Sequence, residues 1–144
     1  MRKQFLIGLA VAAIAAYSCI PGAGEFITVS SAAESGYASQ VSNERQIKVT
    51  ATLQNTPSHA KTWDVEVALE THTHALDDDL AKSSVLIAGG KQYLPLGWDG
   101  APPGGHHRKG ILHFKAIAPP PAAVELQIRL AGDSSPRSFK WLLK

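Results

Sequence analysis

The chain has 144 residues, a formal net charge of +2, one cysteine and one methionine. That length suits one domain plus a targeting segment, and the small charge with no basic run argues against a nucleic-acid partner. The single cysteine, Cys19, excludes an iron–sulfur cluster, a cysteine zinc knuckle and a CxxCH haem attachment; with Met1 the only methionine, a Cys/Met blue-copper site is excluded as well.

The N-terminus reads as an export signal. Arg2 and Lys3 precede an unbroken apolar run over residues 5–16, too short to span a bilayer and of the length of a secretory signal core. We assign residues 1–19 to this segment. Two processing routes are open. "AAYSC" resembles a bacterial lipobox, in which Cys19 becomes the lipidated first residue and anchors the protein in a membrane. The alternative is ordinary peptidase cleavage near "PGAGE", where Gly22 and Gly24 supply the small residues. Either route places the protein outside the cytoplasm, in the periplasm or on the cell surface.

Residues 20–43 are rich in Gly, Ala and Ser and read as a flexible tether. The folded domain is expected over 44–144. "QIKVTATL", "TWDVEVAL" and "AVELQIRL" alternate apolar and polar residues with a period of two, the pattern of half-buried antiparallel strands. "SSVLIAG", "KQYLPLGW", "GILHFKA" and "SFKWLL" are shorter strand candidates, separated by turn clusters such as "QNTPSH", "DGAPPGG" and "AGDSSP". About seven strands with no sustained helical period predict an all-β, immunoglobulin-like, two-sheet antiparallel sandwich. One helical turn is expected in "HALDDDLAKS", with Asp77 to Asp79 at its N-terminus.

Six histidines are the main chemical resource: His59, His72, His74, His106, His107 and His113. His59 sits in a turn and His113 on the polar face of a strand, and both read as ordinary surface residues. "ETHTHALDDD" is different. Residues i and i+2 of a strand point the same way, so His72 and His74 form a two-nitrogen chelate, with Asp79 or its neighbours as an oxygen ligand. The plainer reading is a polar strand end running into an acidic loop. In "GGHHR", His106 and His107 diverge in extended chain and converge only where Gly104 and Gly105 bend the loop. The plainer reading there is a glycine-rich tip. Two histidine clusters in one exported domain point to a shared site.

The stretches "THTHALDDDLAKSSVLI", "GWDGAPPGGHHRKGILHF", "ELQIRLAG" and "SFKWLL" also resemble a group of small exported prokaryotic β-sandwich proteins. Their pattern is Thr-His, a spaced Asp-Leu, W-x-G, then GGHHR-x-G-x-L-x-F. It falls on Thr71, His72, Asp79, Leu80, Trp98, Gly100, Gly104 to Arg108, Gly110, Leu112 and Phe114. The resemblance implies the sandwich fold and supports His72, Asp79, His106 and His107, while His74 lies outside it.

No GxSxG, P-loop or HExxH motif is present, and a copper–zinc superoxide dismutase site would need a disulfide and further ligands. Enzymatic activity is the weaker expectation and stays open; the sequence predicts an exported, lipid-anchored protein holding one divalent transition metal, Cu(II) or Zn(II), for metal handling or electron transfer outside the cytoplasm. Its expected ligands are His72, His106 and His107, completed by Asp79 or His74. The alternatives are a metal-free module whose loop around Trp98 docks a protein partner at the cell surface, and a structural subunit of a surface assembly.

Overall fold

Alternation along each strand fixes which side chains meet between two sheets. The structure, a computed structural model, describes residues 36–54 and 56–144. The signal segment, Cys19 with its two processing routes, and the tether up to residue 35 lie outside the described residues. The elements are β1 (Gln40–Glu44), β2 (Ile47–Leu53), β3 (Thr62–Thr71), α1 (Leu80–Ser83), β4 (Ser84–Ala88), β5 (Lys91–Tyr93), β6 (Gly97–Gly100), β7 (His107–Lys115), β8 (Ala123–Ile128) and β9 (Arg137–Leu142). They form a five-stranded sheet, β1-β2-β3-β7-β6, and a four-stranded sheet, β5-β4-β8-β9, with every pairing antiparallel.

The chain is an all-β sandwich with nine strands among the described residues, against the seven read from the sequence. One addition is β1, all but the last residue of which falls in the stretch assigned to the tether. It carries a single large apolar residue, Val41, and that side chain is 59 % exposed, so no alternation marks the strand. Its place comes from pairing with β2 and from two contacts to the other sheet. The Gln40 side-chain amide donates to the Lys140 carbonyl and accepts from the Lys140 N–H, and the Trp141 indole donates to the Ala38 carbonyl at 2.8 Å. The domain thus begins before residue 44.

The other addition comes from "KQYLPLGW", which divides into β5 and β6 in different sheets. Leu94, Pro95 and Leu96 cross between them. Pro95 has no N–H to give a ladder, and Leu94 and Leu96 stand 74 % and 64 % exposed.

The alternating residues read from the sequence face inward as expected. Val49, Leu53, Val65, Val67, Leu112 and Phe114 of the larger sheet are fully buried, as are Leu86, Leu126 and Ile128 of the smaller one. Each such side chain contributes about 1.5–3 kcal/mol by leaving water. The expected helical turn forms as α1, and the Asp79 carboxylate caps it by accepting from the Ala81 N–H at 3.1 Å.

Candidate metal centre

The outward face of the larger sheet carries the candidate site, at the end where β3 runs out and β7 begins. Register decides the neighbours. Lys48 on β2, Glu70 on β3 and His107 on β7 lie directly opposite one another in one row, with Asn43 of β1 continuing it. His72 follows Glu70 by two residues. Its ring lies edge-on to that of His107, with centroids 6.3 Å apart and planes 80° apart.

Two histidines from distant parts of the chain are therefore neighbours. Two imidazoles bound to one metal at about 2.0–2.1 Å per bond hold their ring centres about 5 Å apart at a tetrahedral angle, and about 6.4 Å apart only when the two bonds lie in line. The observed 6.3 Å is wider than the tetrahedral separation, so the two exposed rings must close by about 1 Å to share a tetrahedral ion. Among the described residues, no three His, Cys, Asp or Glu side chains converge closely enough to hold one ion.

The remaining expected ligands are placed differently. β3 ends at Thr71 and residues 72–74 bend, so the same-side rule for a strand does not extend to His74, which is exposed. Asp79 is engaged by its helix: besides capping α1, it pairs with Lys82 at 3.4 Å. Asp78 accepts from the Ala131 N–H at 2.9 Å. His106 is exposed and contributes its backbone carbonyl, which accepts from the Thr71 N–H at 2.9 Å.

Glu70 is the residue that sequence reasoning overlooked. Its carboxylate takes a hydrogen bond from the Lys48 ammonium at 3.1 Å. That bond and the Lys48 charge hold it below the usual carboxylate range, with smaller contributions from His107 and His72. The signal for it was present. Alternation along β3 puts Glu70 on the outward face, and His72 follows it just past the end of the strand. Cavities of about 340 and 200 Å³ flank it. The first is lined by Asn43, Gln46, Lys48, Glu70, Thr71 and His72, the second by Glu70, His107, Lys109 and their neighbours.

Much of the distinctive motif around the histidines builds the scaffold. Gly104 and Gly105 adopt positive φ, 114° and 73°, and turn the loop so that it pairs with Leu76 on both sides. Arg108 points inward opposite Leu69 and is 3 % exposed. It donates to the Leu76, Asp78 and Ala101 carbonyls at 3.0, 2.6 and 3.3 Å, and its guanidinium lies 5.7 Å from the Trp98 ring centre. Burial pushes that guanidinium down from its ordinary value, and the charges of Asp78, Asp79 and Asp77 oppose the change. Arg108 thus joins the acidic loop to the tryptophan loop beneath the histidine pair.

Elsewhere on the outer face, His113 Nδ1 lies 2.7 Å from Asp64 Oδ1, a cross-strand pair. Compared with known proteins, the chain matches no family model, no curated protein and no solved structure.

Proposed function

We propose that this is an exported β-sandwich protein that captures a divalent transition metal, Cu(II) or Zn(II), between His72 and His107. The observation that carries this reading is the 6.3 Å separation of two exposed imidazoles drawn from distant parts of the chain. Exposure leaves room for an ion to approach, and imidazole is the side chain such metals favour. His106 and His74 lie one and two positions from the pair and are its nearest reserve of imidazole in the chain. The role is metal handling outside the cytoplasm, with a membrane anchor if Cys19 is lipidated.

The test is titration of untagged protein with Cu(II) and Zn(II), in parallel with His72→Ala, His107→Ala and His59→Ala. Either change in the pair should weaken binding about tenfold or more, while His59→Ala leaves it unchanged. Protons compete with metal for imidazole, so affinity should also fall steeply from about pH 7 to about pH 5. Binding that ignores both substitutions, or Ca²⁺ binding that persists at the lower pH, would refute the reading.

One observation favours a second reading, a metal-free interaction module. Leu94 and Leu96 stand exposed beside the Trp98 loop. Substituting both with Ser and finding loss of a cell-surface partner, with metal titration blank, would select it.

A further inference from the structure

We infer that Glu70 is the third ligand of the metal site and that Lys48 competes with the metal for it. The inference rests on the reading of His72 and His107 as the first two ligands.

Position carries the argument. Glu70 stands directly opposite His107 in the β3–β7 ladder and directly opposite Lys48 in the β2–β3 ladder, all three on the outward face. Side chains directly opposite in antiparallel strands have β-carbons about 4.5–5.5 Å apart, so the carboxylate has a choice of neighbour on either side. His72, two residues on, leans over the same row with its ring against His107. A carboxylate with two imidazoles is a donor set that Zn(II) accepts. In the structure Glu70 has turned toward Lys48, whose ammonium it meets at 3.1 Å. With Glu70 held by Lys48, no third His, Cys, Asp or Glu side chain converges on the two imidazoles among the described residues.

The competing pair is weak enough to exchange. Both side chains are about half exposed, and an ion pair of that kind is readily displaced by a direct metal–oxygen bond. Rotation of one exposed glutamate side chain moves the carboxylate from Lys48 toward the imidazoles without disturbing the ladder. Lys48 then acts as an internal competitor that sets the affinity of the site, and the freed ammonium remains over the cavity shared by Asn43, Gln46 and His72.

Lys109 supplies the control. It follows His107 by two residues on β7, on the same outward face, and is paired with Glu66 at 3.1 Å rather than with Glu70. Removing its charge changes the local field without releasing the proposed ligand.

The experiment is Zn(II) and Cu(II) affinity, measured by chelator competition on the full chain for Lys48→Met, Glu70→Gln, the double variant and Lys109→Met. Thermal unfolding of each variant checks that it is folded. Glu70→Gln should weaken binding about tenfold or more, comparable to losses at groups that support metal ligands. Lys48→Met should strengthen it about two- to fivefold, the reach of one exposed ion pair. Added to Glu70→Gln, Lys48→Met should do no more than Lys109→Met does alone. Equal gains from Lys48→Met with and without Glu70→Gln would reduce Lys48 to a general charge effect and overturn the inference. So would binding that depends on His72 and His107 yet ignores Glu70→Gln, and that result would leave the two-histidine reading standing. Absence of binding by the unaltered chain would overturn both.

Discussion

A methyl group at Gly110 would sit 2.6 Å from Gly100 Cα and 2.6 Å from Trp98 Cζ2. Gly100 and Gly110 face each other across β6 and β7, and the Trp98 ring lies over both where two side chains would otherwise stand. The Trp98 indole is held there by donating to the Ala101 carbonyl at 2.9 Å, and Arg108 lies against its face. The Asp99 carbonyl oxygen is nearer still at 2.5 Å, and none of the three can easily retreat, since two are backbone and the third is a ring held by its indole bond. Gly110→Ala should therefore destabilise the domain by about 1–3 kcal/mol, measured as a lowered urea midpoint with an unchanged slope. An unaltered midpoint would mean that Trp98 is free to move. The W-x-G and R-x-G parts of the motif thus express packing, and the histidines are the part that packing does not require.

Among the elements, the β1–β2 hairpin depends most on a distant partner. Its two-residue turn, Arg45 and Gln46, has φ of 51° and 61°, left-handed values that cost about 1–3 kcal/mol each for residues with side chains. Arg137 of β9 holds both ends of that turn. Its guanidinium donates to the Glu44 and Ile47 carbonyls and to Asp133, and the Arg137–Asp133 pair is fully buried. Burial is the largest single influence on Asp133 and pushes its carboxyl up. Hydrogen bonds from Arg137 and the Leu130 N–H, with the charges of Arg137 and Arg45, outweigh it and hold the group below its ordinary 3.8. A lowered folded value means stability that is present above the unfolded value, near 3.9 or so, and lost as pH falls through the folded one. Asp133→Asn should lower stability at pH 7 by about 3 kcal/mol, the cost of breaking a buried pair. It should also flatten the decline of stability with acid below about pH 4, followed by denaturation at a series of pH values. An acid decline of unchanged slope would assign that decline to other carboxylates.

At the scale of the molecule, the candidate site joins the end of β3 to the start of β7, the central pair of the larger sheet. A ligand held there binds the folded chain and has no comparable site in the unfolded one. At a free metal concentration about one hundred times the dissociation constant, it should add about 2.7 kcal/mol of stability. That gain, seen as a rise in the thermal midpoint with Zn(II), should fall to about half or less at the same metal concentration in His72→Ala and in His107→Ala. An undiminished rise in both variants would locate the metal elsewhere.

Alternating residues such as Val65, Val67, Leu126 and Ile128 declared the sandwich and its inner faces from the sequence alone, because burial on one face of a strand imposes a period of two. Asp79 likewise announced the start of α1, since an N-cap is a local interaction between near neighbours. β1 was illegible because an edge strand with one exposed valine buries little and is placed by its partners. The sequence offered His72, His74, His106 and His107 together, and did not tell which of them stand side by side. Whether His72 meets His74, His106 or His107 depends on where β3 ends and on how β3 registers with β7. Glu70 stands beside the pair for the same reason: only the ladder sets it between Lys48 and His107. Local periodicity determined the fold class, and composition the set of histidines and carboxylates on offer. Tertiary register decided which of them stand together, because strand pairing is non-local and a shift of one residue turns every side chain to the other face.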